Sequence, residues 1–255
     1  MTAAASRDLP SANPRALSVQ RYARIAAVLL LLSLLAGGFG EVYVPSRLIV
    51  FSDPAATAQN IRAFEPLLRM GFAGYLVESV CDIALSLIFY VLLRPVQKEI
   101  ALLAAFFGLV GTAVFANAEL FYLAPLLILG GADYLKTFAP EQLNALAFLS
   151  LKLFTYGGVM FTVFYGTAWM IRGYLIFKSG YLPKFLGVLL ALGGLAFIAR
   201  NFLLALAPAY APSTLLLAML PGALALILWL LVKGVDASKW RAAAAANNLS
   251  VRDQD

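Results

Sequence analysis

The sequence predicts an all-α integral membrane protein, a six-helix bundle with both termini cytoplasmic. Three observations carry this: six apolar stretches of spanning length, a shortage of charge, and basic residues gathered in alternate loops. The chain has 255 residues, 62% of them hydrophobic and only 13% charged, roughly half the charged share of a soluble domain. Mean hydropathy is +0.87. In water a fold of this size would expose large apolar patches; in lipid those faces meet hydrocarbon.

A hydrocarbon core of about 30 Å needs about 20 apolar residues as helix. The windows 22–44, 67–93, 100–127, 146–171, 185–207 and 214–232 qualify. Backbone groups in lipid must pair within their own segment, so these are helices, and the short alternating strands of a β-barrel are absent. The chain therefore divides into a cytoplasmic tail at 1–20, a six-span domain at 21–235 and a second tail at 236–255. Both tails read as disordered, the first rich in Ala, Ser and Pro.

Taken in order, the first span follows a long basic segment and shows no A-x-A site after Leu29–Leu35, so it reads as a retained anchor rather than a signal peptide. Asp53-Pro54 is an N-cap followed by Pro at the first helical position. A short helix over 54–64 follows, with Ala58, Ile61 and Phe64 on its apolar face, lying on the membrane surface or folded over the bundle. Pro66 ends it and opens the second span. Pro140-Glu141-Gln142 opens a helix that runs into the fourth. Pro208 and Pro212 mark a short, uncharged turn before the sixth. Tyr22, Tyr43, Trp169, Tyr181, Trp229 and Trp240 fit interfacial belts.

Orientation comes from Lys and Arg. One set of segments carries Arg7, Arg15, Arg21, Arg24, Arg94, Lys98, Arg172, Lys178, Lys184, Lys233, Lys239, Arg241 and Arg252; the other carries Arg47, Arg62 and Lys136, with Arg69 at the edge of the second span. The richer set belongs in the cytoplasm, which requires an even number of spans. The expected location is the bacterial inner membrane, multi-pass, N-in and C-in. The Asn248-Leu249-Ser250 sequon falls on the wrong side for glycosylation.

Composition also excludes. Net charge is +6, but the basic residues cluster at span ends and meet lipid headgroups, not nucleic acid. The single Cys81 forms no intrachain disulfide, and histidine is absent. That removes the commonest general base and transition-metal ligand. No phosphate-binding loop, dinucleotide fingerprint, zinc-protease pattern or nucleophile elbow occurs. The expectation is a non-enzyme without cofactor or metal.

Charged groups at bilayer depth cost about 2.5–3.5 kcal/mol on insertion scales and mark candidate sites. Glu78 and Asp82, four apart in the second span, project from one helical face. Two carboxylates so placed call for a proton or a neighbouring cation. Glu41, Asn117, Glu119, Lys152, Arg200 and Asn201 complete the candidate intramembrane site. Formal charges nearly balance, Glu41, Glu78, Asp82 and Glu119 against Arg69, Lys152 and Arg200, as in a shared polar pocket open to the outside. A purely structural reading, helices locked by polar pairs worth about 0.6 kcal/mol each, competes. Gly37-Gly38, Gly157-Gly158 and Gly193-Gly194 offer close helix approach.

A set of short stretches, in order, resembles a widespread bacterial family of multi-span membrane proteins, the DUF4386 family. They include Ala23-Arg24-Ile25-Ala26, Glu41 with Arg47-Leu48-Ile49-Val50, Asp53-Pro54-Ala55-Ala56-Thr57-Ala58, and Cys81-Asp82-Ile83-Ala84-Leu85. Phe89-Tyr90-Val91-Leu92-Leu93-Arg94-Pro95-Val96, Ser179-Gly180-Tyr181-Leu182-Pro183-Lys184 and Leu228-Trp229-Leu230-Leu231-Val232-Lys233-Gly234-Val235 continue it. The resemblance covers 24–235 and implies a six-helix membrane protein without implying an activity. Relatives often carry Arg at Gly108, Asp and His at Lys152 and Phe154, His at Ala168 and Glu at Ala223. Against that pattern this chain keeps Glu41 and Asp82 and departs at the rest, which implies a changed specificity or a structural polar layer.

The function expected first is transport of a small solute or ion, with proton coupling, through an outward-facing polar cavity. The alternative is a non-catalytic accessory or sensor protein that binds a lipid or a partner subunit. The lipid bilayer is the one partner that composition requires; solute, cation or proton are further candidates.

Overall fold

The computed structural model describes residues 18–252. Among these the chain is an integral membrane bundle of six helices long and apolar enough to span. The first span, Val19–Leu48, is three helical pieces in line: α1 (Val19–Gly38), a π-helical turn (Phe39–Tyr43) and α2 (Val44–Leu48). Pro45 accounts for the π turn. It has no N–H to give the Glu41 carbonyl, and the turn before it widens so that the Val44 N–H donates to Phe39 O.

Asp53 caps α3 (Pro54–Ala63) by accepting from the Ala56 N–H at 2.9 Å. The helix buries Thr57, Ala58 and Ile61 and packs on the bundle, so it folds over the spans; Phe64, 55% exposed, is off that face. Then come α4 (Glu65–Leu93), α5 (Lys98–Ile128), α6 (Pro140–Ser179), α7 (Lys184–Leu206) and α8 (Met219–Val232). The segment between α7 and α8 is two 3₁₀ turns, Pro208–Tyr210 and Ser213–Ala218, rather than one short turn. The tail expected after Asp236 is instead α9 (Ala237–Arg252). The tail at 1–17 lies outside the described residues, and Val19 and Gln20 already belong to α1.

Each span packs on the next, and α8 returns to α1, closing a ring. The six crossings put both described ends on one face, called here the terminal face. Polar contacts seal the closure there: Arg24 Nη1 donates to Leu231 O at 3.0 Å, and the Val235 N–H to Gln20 Oε1 at 3.0 Å. Between α6 and α7 the backbones nearly touch. A Cβ on Gly166 would lie 2.7 Å from Gly194 O, and one on Gly173 would lie 2.6 Å from Gly187 O, the small-residue seam that helices use in lipid.

Two buried apolar clusters fill the ring. One, toward the terminal face, holds Leu30, Leu85, Phe89, Trp169, Leu190 and Leu226. The other, toward the opposite face, is aromatic, with Tyr75, Phe115, Tyr122, Phe154 and Phe161. At the terminal face Leu92 O belongs to the last turn of α4, where carbonyls lack helical partners. It accepts from Tyr181 Oη at 2.7 Å and Trp240 Nε1 at 2.9 Å. Tyr181, 4% exposed, and Trp169, 2% exposed, are thus packed inside the protein rather than standing in interfacial belts. Burial raises the Tyr181 hydroxyl above the ordinary phenol range, so it remains a donor.

Candidate functional site

Between the two apolar clusters runs a polar layer. On α4, Tyr75, Glu78, Ser79, Asp82 and Ser86 recur at three- and four-residue spacing and share one face. Asp82 is 4% exposed. Its Oδ1 accepts from Ser33 Oγ of α1 at 3.1 Å and from Tyr165 Oη of α6 at 3.4 Å. Glu119 of α5, 1% exposed, accepts from Ser79 Oγ at 3.0 Å.

The base of this layer is Arg172. It is 2% exposed, donates from Nη2 to Ser86 Oγ at 3.2 Å, and lies over Trp169 and Phe89 at 4.9 and 5.2 Å from their centroids. Gly108 of α5 makes the room: a Cβ there would stand 2.8 Å from Arg172 Nη2 and 2.5 Å from Ser86 Oγ. Arg172 and Asp82 interact through space, but no direct ion pair joins them.

Glu78 faces α1, its carboxylate seated against Gly37, where a Cβ would lie 2.5 Å from Oε2. Glu41, on the π turn that Pro45 creates, stands on the rim of the same region near the Tyr75 hydroxyl. The Tyr75 ring lies on Gly40 and meets Tyr122 edge-on, centroids 5.0 Å apart. Tyr122 Oη and Glu78 Oε2 are buried without a hydrogen-bond partner, and the Tyr75 hydroxyl has the Glu41 carboxylate as its neighbour.

Not all the sequence candidates gather here. Glu41, Glu78, Asp82 and Glu119 do. Lys152 is exposed on α6, over Phe51 and Phe148 at 5.7 and 5.2 Å, and Asn117 is on the exposed side of α5. Arg200 donates to Asn201 Oδ1 at 3.1 Å, and Asn201 donates to Thr162 Oγ1 and to Phe197 O. This is a separate group at the α6–α7 contact. Arg69 pairs with its own neighbour Glu65 at 2.6 Å on the surface. The expected single pocket, balanced by Arg69, Lys152 and Arg200, is therefore corrected: those bases meet none of the four acids.

Sequence reasoning placed Arg172 in a terminal-face loop. The α6 helix runs on to Ser179 because nothing breaks it before Gly180, whose φ of 69° ends it. Arg172 is seven residues inside, about 10 Å along the axis. Tyr75, Tyr122 and Tyr165, and the hydroxyls of Ser33, Ser79 and Ser86, were also missed. The spacing 75-78-82-86 on α4 was a signal for two of them. Among the described residues no group of three or more His, Cys, Asp or Glu is placed to hold a metal ion.

Residues 25–234 match the model of a family described as a domain of unknown function, DUF4386. The chain belongs to the DUF4386 family. It is also similar to an uncharacterised protein of Archaeoglobus fulgidus, 28% identical over 125 residues, which is 49% of this chain and 61% of that protein. The chain thus matches about three fifths of that relative's length. No solved structure matches it. The matched DUF4386 region contains the whole polar layer, from Ser33 to Arg172, together with the separate Arg200–Asn201 group.

Proposed function

We propose that this DUF4386 protein moves a small solute or ion across the bacterial plasma membrane, coupled to cation or proton binding on its intramembrane carboxylates. The imbalance of charge inside the bundle carries this reading. Glu41, Glu78, Asp82 and Glu119 converge from the π turn of the first span, α4 and α5, and Arg172 is the one base beside them among the described residues. Ionised carboxylates at that depth are costly unless a positive charge or a proton joins them. Groups that must gain and lose positive charge are what a carrier uses to couple two fluxes.

The same reading places both termini in the cytoplasm. With Arg172 taken out of the count, the segments of the terminal face still hold most of the basic residues, against Arg47, Arg62, Arg69 and Lys136. Reporters fused at either end report the side directly.

Liposomes holding the purified protein test the transport reading. Under a valinomycin-clamped potential, an internal pH dye follows protons and radioactive sodium follows cation entry. Flux above empty liposomes in the wild type, lost in Glu78→Gln and Asp82→Asn, is the expected result. Background flux of both ions in the wild type, with the variants changing only thermal stability, makes the carboxylates structural and overturns it.

A further inference from the structure

We propose that Lys152 of α6, with Arg62 of α3 beyond it, holds the headgroup of an anionic phospholipid in the leaflet opposite the terminal face. The inference is independent of the transport reading.

Three spans carry the same measure. Arg21 and Arg47 are 26 residues apart, Arg69 and Arg94 are 25, and Lys152 and Lys178 are 26. At about 1.5 Å per residue each interval is about 38–39 Å, close to the roughly 40 Å of a bilayer counted with its headgroup regions. Arg21, Arg94 and Lys178 lie at the terminal face, so Arg47, Arg69 and Lys152 stand at headgroup level in the opposite leaflet. The α6 helix, 40 residues long, continues past that level to Pro140.

The three bases at this level keep different company. Arg69 is neutralised by Glu65 at 2.6 Å. Arg47 lies over the Tyr43 ring at 5.5 Å. Lys152 is exposed, and a second base reaches its own ridge of α6. Asn144, Phe148, Lys152, Tyr156 and Met160 follow at four-residue steps and form that ridge. Arg62 Nη2 donates to Asn144 Oδ1 at 3.3 Å. Lys152 leans back along the helix, as long side chains do, with Nζ 5.2 Å from the Phe148 ring centroid and 5.7 Å from that of Phe51. The lean carries its ammonium toward Asn144 and Arg62. Phe51, 73% exposed on the turn before α3, flanks the ammonium from the other side.

The ridge matches a phospholipid placed lengthwise. Met160 and Tyr156, 59% and 63% exposed, stand on the hydrocarbon side of Lys152 and present apolar surface to an acyl chain. Lys152 stands at the phosphate, where ammonium and phosphate oxygen make a charge-assisted hydrogen bond. Arg62 and Asn144 stand beyond, at the level of the rest of the headgroup. Neither base has an ion pair among the described residues, so the two positive charges are uncompensated. A zwitterionic headgroup brings its own ammonium up to Arg62, whereas an anionic headgroup brings none. Charge complementarity therefore selects the anionic lipid.

The test is native mass spectrometry of the full chain in detergent, titrated separately with phosphatidylglycerol and phosphatidylcholine of identical acyl chains. The wild type holds one phosphatidylglycerol about fivefold more tightly than phosphatidylcholine. Lys152→Gln weakens phosphatidylglycerol about fivefold, and Arg62→Gln narrows the preference over phosphatidylcholine. Lys184→Gln, at the terminal face, changes neither. Both substituted side chains are exposed, so the variants fold as the wild type does. Equal affinity for the two lipids overturns the site, and so does unchanged phosphatidylglycerol binding in Lys152→Gln. Displacement of phosphatidylglycerol by inorganic phosphate at equal concentration makes the ligand a free anion and overturns the lipid assignment.

Discussion

Ser33 of the first span and Asp82 of the second meet at 3.1 Å, hydroxyl to carboxylate, with both residues buried. This bond ties α1 to α4 where the two apolar clusters part, and Tyr165 reaches the same oxygen from α6. One carboxylate therefore joins three spans. Asp82→Ala strands the Ser33 and Tyr165 hydroxyls and leaves Arg172 without its facing charge. A loss of about 1–3 kcal/mol follows, read by chemical or thermal unfolding in detergent. Asp82→Asn, which still accepts a hydrogen bond, loses less. Equal losses for the two would show that the hydroxyl contacts carry nothing.

Arg172 and Asp82 are expected to be coupled although they do not touch. Arg172→Leu removes the base beside Asp82, and Asp82→Leu removes the acid beside Arg172. Either change alone leaves a buried charge without its opposite, whereas both together remove the pair. The double variant is predicted to be more stable than the sum of the two single effects requires, by about 0.5–3 kcal/mol. Strict additivity of the measured losses rejects the coupling.

Tyr181 and Trp240 both donate to the Leu92 carbonyl. Tyr181→Phe or Trp240→Phe alone keeps one donor on it, and each should cost no more than about 0.5–1.5 kcal/mol. With both replaced, a helix-end carbonyl at this packed junction has no protein donor. The double loss should exceed the sum. Unfolding midpoints of the three variants decide the matter.

The docking of α9 should weaken in acid. Asp236 Oδ1 accepts from the Ser238 hydroxyl at 2.6 Å and from the N–H groups of Ser238 and Lys239 at 3.1 and 3.2 Å. The Ser238 hydrogen bond first, and the Lys239 N–H next, hold its carboxyl below the ordinary carboxylate range. A group depressed in the folded state stabilises fully above its unfolded pKa. That contribution is lost as pH falls through the folded value. Protection of the α9 amides, taken relative to intrinsic exchange at each pH, should therefore fall at low pH in the wild type, and Asp236→Asn should remove most of this dependence. Unchanged protection across the acid range excludes the capping role.

The spans were legible because hydropathy is a local property: twenty apolar residues announce a crossing whatever they pack against. The caps at Asp53-Pro54 and Pro140 were legible for the same reason. Glu78 and Asp82 stood out because carboxylates are rare in apolar runs. Arg172 did not, since a base near a span end reads as a loop residue until the helix is seen to continue to Ser179. Tyr75 and Tyr122 look like any core aromatic in sequence; only their buried hydroxyls, the first beside Glu41 and the second without a partner, distinguish them. α9 escaped because its Ala-rich segment has no strong apolar stripe. Its docking depends on Trp240 reaching a carbonyl 148 positions away.

Because α8 lies against α1 and the Gln20 and Arg24 side chains bridge to Val235 and Leu231, the point where the polypeptide starts is topologically arbitrary. A circular permutant whose old ends are spliced at the terminal face and whose new ends open at the 94–97 bend would preserve every neighbour relation among the spans. Its architecture is that of a closed loop, cut once.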